Sequence, residues 1–273
     1  MEDNPRGVFI EANGSRDVCT LTLAWRVFEG TPVALAANRD ESLDRESEGP
    51  SLRTADGSSY VAPRDRVAGG TWIGLGESGL VAAVTNRWLD ADRESDRSRG
   101  LLVADCLRNP TAESAVRAVE RELDDCTYDG FNLVVADSVA AFLLSYDGHL
   151  SVTQLDPGVH IVGNVGGVVN GTERFAVPDQ RETAGTDRVA SARRVAGALV
   201  PDPGEDASGW IDRASRVLAD HEYGACLHGE GFGTRSFTRI RTGTEPAFAF
   251  ADGPPCETPS ESVPLPAGFG ESS

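Results

Sequence analysis

Residues 19–42 read CTLTLAWRVFEGTPVALAANRDES. Two β-rich runs, CTLTLAWRVF and VALAAN, flank a turn at Glu29-Gly30-Thr31-Pro32, and so short a separation predicts an antiparallel hairpin. Apolar residues fall on both faces of these strands, so the sheet they belong to must be covered on both sides. The second strand runs into Asn38-Arg39-Asp40-Glu41. The first begins with a cysteine, Cys19, behind an 18-residue leader.

Outward from this hairpin, residues 42–67 are rich in Ser, Asp, Arg and Gly and read as a long surface loop. GGTWIGLG and GLVAAVTNRW then form a second hairpin across Glu77-Ser78. Gly74-Leu75-Gly76-Glu77-Ser78-Gly79 spells the dinucleotide-binding pattern G-x-G-x-x-G. A β-rich run rather than a helix follows it, so nucleotide binding is not expected. A helix is predicted after Asn109-Pro110-Thr111, with Ala115, Val116, Val119 and Leu123 on one face. FNLVVAD, AAFLLSY, LSVTQL and VHIVGN follow as strands; helices are expected near 186–199 and 208–220, and TRSFTRIRT and AFAFAD close the pattern. Hairpins grouped together, with no β-α-β alternation, indicate an α+β fold. A four-layer αββα sandwich of two stacked, mainly antiparallel sheets meets the need to cover both faces. The expected organisation is a leader at 1–18, one domain at 19–258 and a loose Pro/Gly/Ser-rich tail at 259–273.

The chain of 273 residues carries 25 basic and 43 acidic residues, a net charge of −18, and every basic residue is Arg. Such a surface predicts a salt-adapted, halophilic protein, because carboxylates hold water while salt screens their mutual repulsion. It also argues against nucleic acid as a partner. No apolar run approaches the length of a membrane span. The leader lacks the basic start and apolar centre of a signal peptide. Five cysteines, Cys19, Cys106, Cys126, Cys226 and Cys256, never fall in C-x-x-C spacing. That argues against a disulfide framework and against zinc, and it fits a reducing cytoplasm. His228 lies two residues after Cys226, and C-x-H without further ligands predicts no metal site. Trp72 reads as a core residue.

CTLTLAW, LAANRDES, GGTWIGL, GLVAAVTN, DGFNLVVAD and HGEGFGTRS, in that order, together resemble the NRDE family, also called the transport and Golgi organisation protein 2 family. The resemblance extends from Cys19 to about Cys256. That family is similar in turn to the N-terminal-nucleophile hydrolases, αββα enzymes that include cysteine-dependent amidases. What the resemblance implies is a thiol nucleophile at Cys19 whose own α-amine is the general base. A free α-amine titrates near 7.7–8.0, roughly where a base working at pH 7 is needed, whereas a thiol near 8.5 needs activation. The amine exists only if Cys19 is the first residue, so the leader is expected to be either a mis-assigned start, with Val18 as a GTG start codon, or a self-cleaved propeptide.

By motif position, the resemblance makes Asp40 the carboxylate that orients the amine, Asn86 an oxyanion-hole donor, Asn164 a second polar lining residue and Arg235 a late arginine able to hold a carboxylate. Arg39 is expected at the substrate. Here the string departs from the amidases, whose arginine stands before the asparagine. The expected activity is hydrolysis of a non-peptide amide C–N bond, or a related acyl transfer, on a small acyl or amide substrate, without a metal or cofactor. Family members are also associated with haem or lipid handling, so the alternative is a non-catalytic carrier holding haem or an acyl ligand in the same pocket. No G-x-S-x-G serine-hydrolase motif occurs.

Overall fold

The computed structural model describes residues 19–91 and 93–271. In chain order it forms β1 (Cys19–Phe28), β2 (Thr31–Ser42), β3 (Ser47–Ala55), β4 (Ser58–Asp65), β5 (Ile73–Gly76) and β6 (Val81–Asn86). Helices α1 (Arg99–Leu107) and α2 (Ala112–Asp125) follow, then β7 (Phe131–Ala136), β8 (Ala141–Tyr146), β9 (Leu150–Gln154), β10 (Gly158–Gly163), β11 (Gly166–Val169) and β12 (Thr172–Phe175). Helices α3 (Glu182–Ala198) and α4 (Ala207–Ala219) precede β13 (Phe232–Arg241), β14 (Ala247–Ala251) and β15 (Glu261–Val263).

Every strand pairing is antiparallel. One sheet has the order β12-β11-β10-β1-β2-β13-β14-β15, the other β3-β4-β5-β6-β7-β8-β9. The pleat sorts β1 and β2 between two cores. Leu21, Leu23, Val33 and Leu35 face the second sheet, where they meet Val61, Leu75, Val81 and Val134. On the opposite face, Ala24, Ala34 and Ala36 lie under Val195 of α3 and Trp210, Ala214 and Leu218 of α4. Alanine on that face lets the helices sit close to the sheet. The second sheet is covered in the same way by α1 and α2, with Leu102, Val103, Leu107 and Val119 against Ala62, Ala82, Leu133 and Val135. Each fully buried Leu or Val contributes roughly 1.5–3 kcal/mol. The result is the αββα sandwich expected from apolar residues on both strand faces.

Two local expectations change. The predicted loop at 42–67 is largely the β3–β4 hairpin. Its turn is Asp56-Gly57, both at positive φ (53° and 81°), the geometry for which Asp-Gly is the preferred pair. The tail expected to be loose is anchored: Val263 pairs with Phe248 across β14–β15, and Phe269 is buried in the core between the sheets. The G-x-G-x-x-G string spans the β5–β6 hairpin. The leader at 1–18 lies outside the described residues. Among the described residues, no helix is long and apolar enough to cross a membrane.

Candidate active site

Cys19 opens β1 at the mouth between the two sheets, directly opposite Arg39 in the β1–β2 register. Its nitrogen is held by a side chain: it donates to Asn164 Oδ1 at 3.1 Å. Asn164 is buried in the tight connection between β10 and β11. Its Nδ2 donates to the Asn86 carbonyl at the end of β6 (2.9 Å), and its own carbonyl accepts from the Trp88 N–H (3.0 Å). One asparagine therefore ties the head of β1 to the end of a strand in the opposite sheet, which fixes Cys19 relative to Asn86.

Between them lies a cavity of about 110 Å³, lined by Cys19, Arg39, Asp65, Trp72, Asn86 and Ser98 among others. The first turn of α1 closes one side, with Ser98 capping it through the Gly100 N–H. Gly70 makes this closure possible: a Cβ there would lie 2.1 Å from the Gly100 carbonyl carbon.

Arg39 is 6 % exposed. Its guanidinium sits 4.2 Å from the Trp72 ring centroid, and Nη2 is 3.3 Å from Glu41 and 3.5 Å from Asp65. Arg45 joins the same two acids, at 2.7 Å from Asp65 and 3.6 Å from Glu41. Burial lowers the Arg39 pKa, against the opposing pull of Glu41, Cys19 and Asp65. Burial also acts to raise Asp65, but the Ala68 and Val67 N–H groups and Arg45 outweigh it and hold that carboxyl below its ordinary value. Two arginines against two carboxylates leave the network neutral overall, as a partly buried ion-pair cluster requires.

Asp40 follows Arg39 on the strand and so points to the opposite face. Its carboxyl accepts a hydrogen bond from the Thr234 hydroxyl of β13 and faces Arg188 of α3. Burial pushes its pKa up to about 8, against the opposing effects of Thr234, Arg188 and Arg39. Oδ2 is buried with no hydrogen-bond partner among the described residues.

The structure thus brings Cys19, Arg39, Asn86 and Asn164 together. Asp40 borders the cavity, while its carboxyl is turned toward Thr234. Arg235 occupies the β-bulge between Thr234 and Ser236, 4.0 Å from Asp252, and is not among the described residues that line the cavity. Arg39 is the arginine that faces the cysteine. Sequence reading missed Asp65 and Arg45, which lie in or beside the stretch read as a loop, and took Trp72 as core when it also forms the stacking wall under Arg39. The expectation of no metal rested on local spacing; the fold places His221, Cys226, His228 and Cys256 side by side.

The family model for transport and Golgi organisation 2 matches residues 18–177. The chain belongs to that family. A Bos taurus protein named transport and Golgi organization protein 2 homolog is 28% identical over 239 residues, covering 81% of this chain and 85% of the relative. A Mus musculus homolog of the same family is 36% identical over 109 residues, 38% of each chain. Among solved structures, the Caenorhabditis elegans ortholog of N-acylethanolamine-hydrolyzing acid amidase superposes with a TM-score of 0.53 at 13% identity, covering 81% of this chain and 92% of that one. This member of the transport and Golgi organisation 2 family therefore has the N-terminal-nucleophile hydrolase fold.

Proposed function

We propose that this protein is an N-terminal cysteine hydrolase of amide C–N bonds, or a related acyl transferase. The observation that carries the reading is the placement of Cys19, whose nitrogen is held by Asn164 Oδ1 at 3.1 Å at the edge of a cavity that Cys19 shares with Asn86 and Arg39. In the mature chain that nitrogen would be a free amine. It takes the thiol proton as sulfur attacks the substrate carbonyl carbon, a C–S bond forms, and the proton passes to the leaving nitrogen as the C–N bond breaks. Water then attacks the thioester carbon, with the amine accepting its proton and returning it to sulfur as the acid leaves. Asn86 serves as the oxyanion donor, a role whose loss typically lowers the rate by about 10²–10³. The stacked, ion-paired Arg39 positions the substrate.

The size of the cavity supports this over the carrier reading. About 110 Å³ admits the reacting end of a small acyl or amide group, whereas sites that enclose a drug-sized ligand run to roughly 300–1,000 Å³. Five free thiols accord with a reducing, cytoplasmic setting. The test is the intact mass of protein purified from its own host, followed by labelling with a chloromethyl ketone. The expected outcome is a chain that begins at Cys19 and a single label abolished by Cys19→Ala. A chain that still carries the leader, or equal labelling of all the thiols, overturns the proposal.

A further inference from the structure

We infer that His221, Cys226, His228 and Cys256 form a structural zinc site that braces the outer face of the active-site strand. The four donor atoms lie within 4.8 Å of one another. Cys226 Sγ is 3.4 Å from Cys256 Sγ, and His228 Nε2 is 3.1 Å from Cys256 Sγ and 3.7 Å from Cys226 Sγ. A tetrahedral zinc with Zn–S near 2.3 Å and Zn–N near 2.0–2.1 Å sets sulfur–sulfur edges of about 3.8 Å and sulfur–nitrogen edges of about 3.5 Å. The three edges among Cys226, His228 and Cys256 differ from these by about 0.2–0.4 Å, and the separations in the full set of four reach no further than 4.8 Å, so closing on an ion requires a small inward shift. The rings of His221 and His228 are 5.0 Å apart and crossed at 76°, so each can direct a nitrogen to a common point. With Nε2 of His228 turned to the sulfurs, its Nδ1 faces the Glu257 carboxylate at 3.9 Å, the side from which a carboxylate commonly supports a metal-bound histidine once it closes to hydrogen-bond distance.

The donors come from three places: a helical turn at His221–Tyr223, the segment that enters β13 through the His228–Gly233 bridge, and the turn after β14. Two thiolates and two neutral imidazoles form the soft, tetrahedral donor set that suits zinc. Four protein ligands leave no open position, so the site is structural rather than catalytic. Binding replaces two S–H protons with one divalent ion: two Zn–S and two Zn–N bonds form, and two protons pass to solvent.

The ligands sit against the residues that hold β2. Leu227, between the two middle ligands, exchanges hydrogen bonds with Thr234: its N–H donates to Oγ1 (2.9 Å) and its carbonyl accepts from the Thr234 N–H (2.9 Å). The same Thr234 hydroxyl donates to Asp40. Ala225, beside Cys226, accepts from Asn38 Nδ2 at 2.8 Å. A bound ion would therefore fix the loop that presents Thr234 to Asp40 and Ala225 to Asn38.

The test uses the full chain, purified reduced and without a polyhistidine tag, loaded with zinc, freed of excess by gel filtration and assayed by elemental analysis. The expected result is about one zinc per chain, reduced to background in Cys256→Ser and retained in the control Cys126→Ser. Cys256 is exposed, so its replacement leaves the core intact, and circular dichroism verifies the fold. The cobalt-loaded protein is expected to show a thiolate-to-cobalt charge-transfer band that Cys256→Ser removes. Zinc is also expected to shield Cys226 and Cys256 from N-ethylmaleimide while Cys126 still reacts. A folded, reduced chain that takes up neither zinc nor cobalt, uptake undiminished in Cys256→Ser, or a Cys226–Cys256 disulfide as the stable form in reducing buffer each overturns the inference. None of these readings depends on hydrolase activity.

Discussion

Asp40→Asn should make the protein more stable than wild type at high pH, by an amount that grows with pH. Burial lifts the Asp40 carboxyl from 3.8 to about 8, so the folded state holds a proton that the unfolded chain releases above pH 3.8. With the folded pKa raised, the stability linked to that proton is complete below about pH 3.8 and is lost as pH rises through 8. At about 1.4 kcal/mol per unit, the full interval corresponds to about 6 kcal/mol. Asparagine does not titrate. It keeps an oxygen for the Thr234 hydroxyl and places an NH2 group where Oδ2 now has no partner among the described residues, a constant offset of about 1–3 kcal/mol. Chemical denaturation of both proteins at fixed ionic strength, from pH 4 to 9, isolates the effect, because the other titrating groups cancel in the difference. The difference should already be climbing at pH 4, rise by about 1.4 kcal/mol per pH unit between 5 and 7, and level off above 8. Parallel stability curves across the whole range would show that the carboxyl is ionised in the fold, and the account of Asp40 given above would be wrong.

Two further substitutions test the scaffold of the site. Asn38→Ala removes donors to the buried carbonyls of Leu218 (2.9 Å) and Ala225 (2.8 Å); at about 1–3 kcal/mol per orphaned group, urea denaturation should register a loss of about 2–6 kcal/mol, and a change below about 1 kcal/mol contradicts the bracing role. Gly70→Ala drives a Cβ into the Gly100 backbone at 2.1 Å, so the first turn of α1 must move; the expected outcome is destabilisation of at least about 1–3 kcal/mol with faster hydrogen exchange at Leu101 and Leu102, and unchanged exchange there refutes it.

The layered architecture was legible because the hydrophobic effect writes it along each strand: Leu21 and Leu23 alternate with Thr22 and Ala24, apolar or small on both faces. The β3–β4 hairpin was not, because β3 is an edge strand whose exposed positions are Gly49, Ser51, Leu52 and Thr54, with no apolar alternation to set it apart from a loop; the Asp56-Gly57 pair was the available signal. The anchored tail escaped for a similar reason, since one buried Phe269 does not alter a Pro/Gly/Ser average. At the site, motif position located Cys19, Asn86 and Asn164, which hydrogen bonds do join. Their surroundings were invisible. Thr234 lies 194 residues from the Asp40 it bonds, and Cys256 lies 28 from His228, separations that no local spacing rule spans. The family resemblance put Arg235 in the catalytic set and Arg39 at the substrate, and only strand register shows that Arg39 is the one opposite Cys19.

That same register explains why Asn-Arg-Asp-Glu is a unit rather than four separate residues. On a pleated strand, alternate side chains divide between the two faces. Arg39 and Glu41 enter the cleft between the sheets, where they meet Trp72, Asp65 and the head of β1. Asn38 and Asp40 turn outward and hold, respectively, the carbonyls at the end of α4 and beside Cys226, and the hydroxyl of Thr234. One pair shapes the cavity while the other secures the strand from behind. A one-residue slip of β2 against β1 would exchange the two sets, putting a buried acid opposite Cys19 and a guanidinium among the helices. Side chains whose hydrogen-bond and ion-pair partners each lie on one face of the strand therefore define the register that places Arg39 opposite Cys19, and the loop carrying His221, Cys226 and His228 sits on the face where that register is secured.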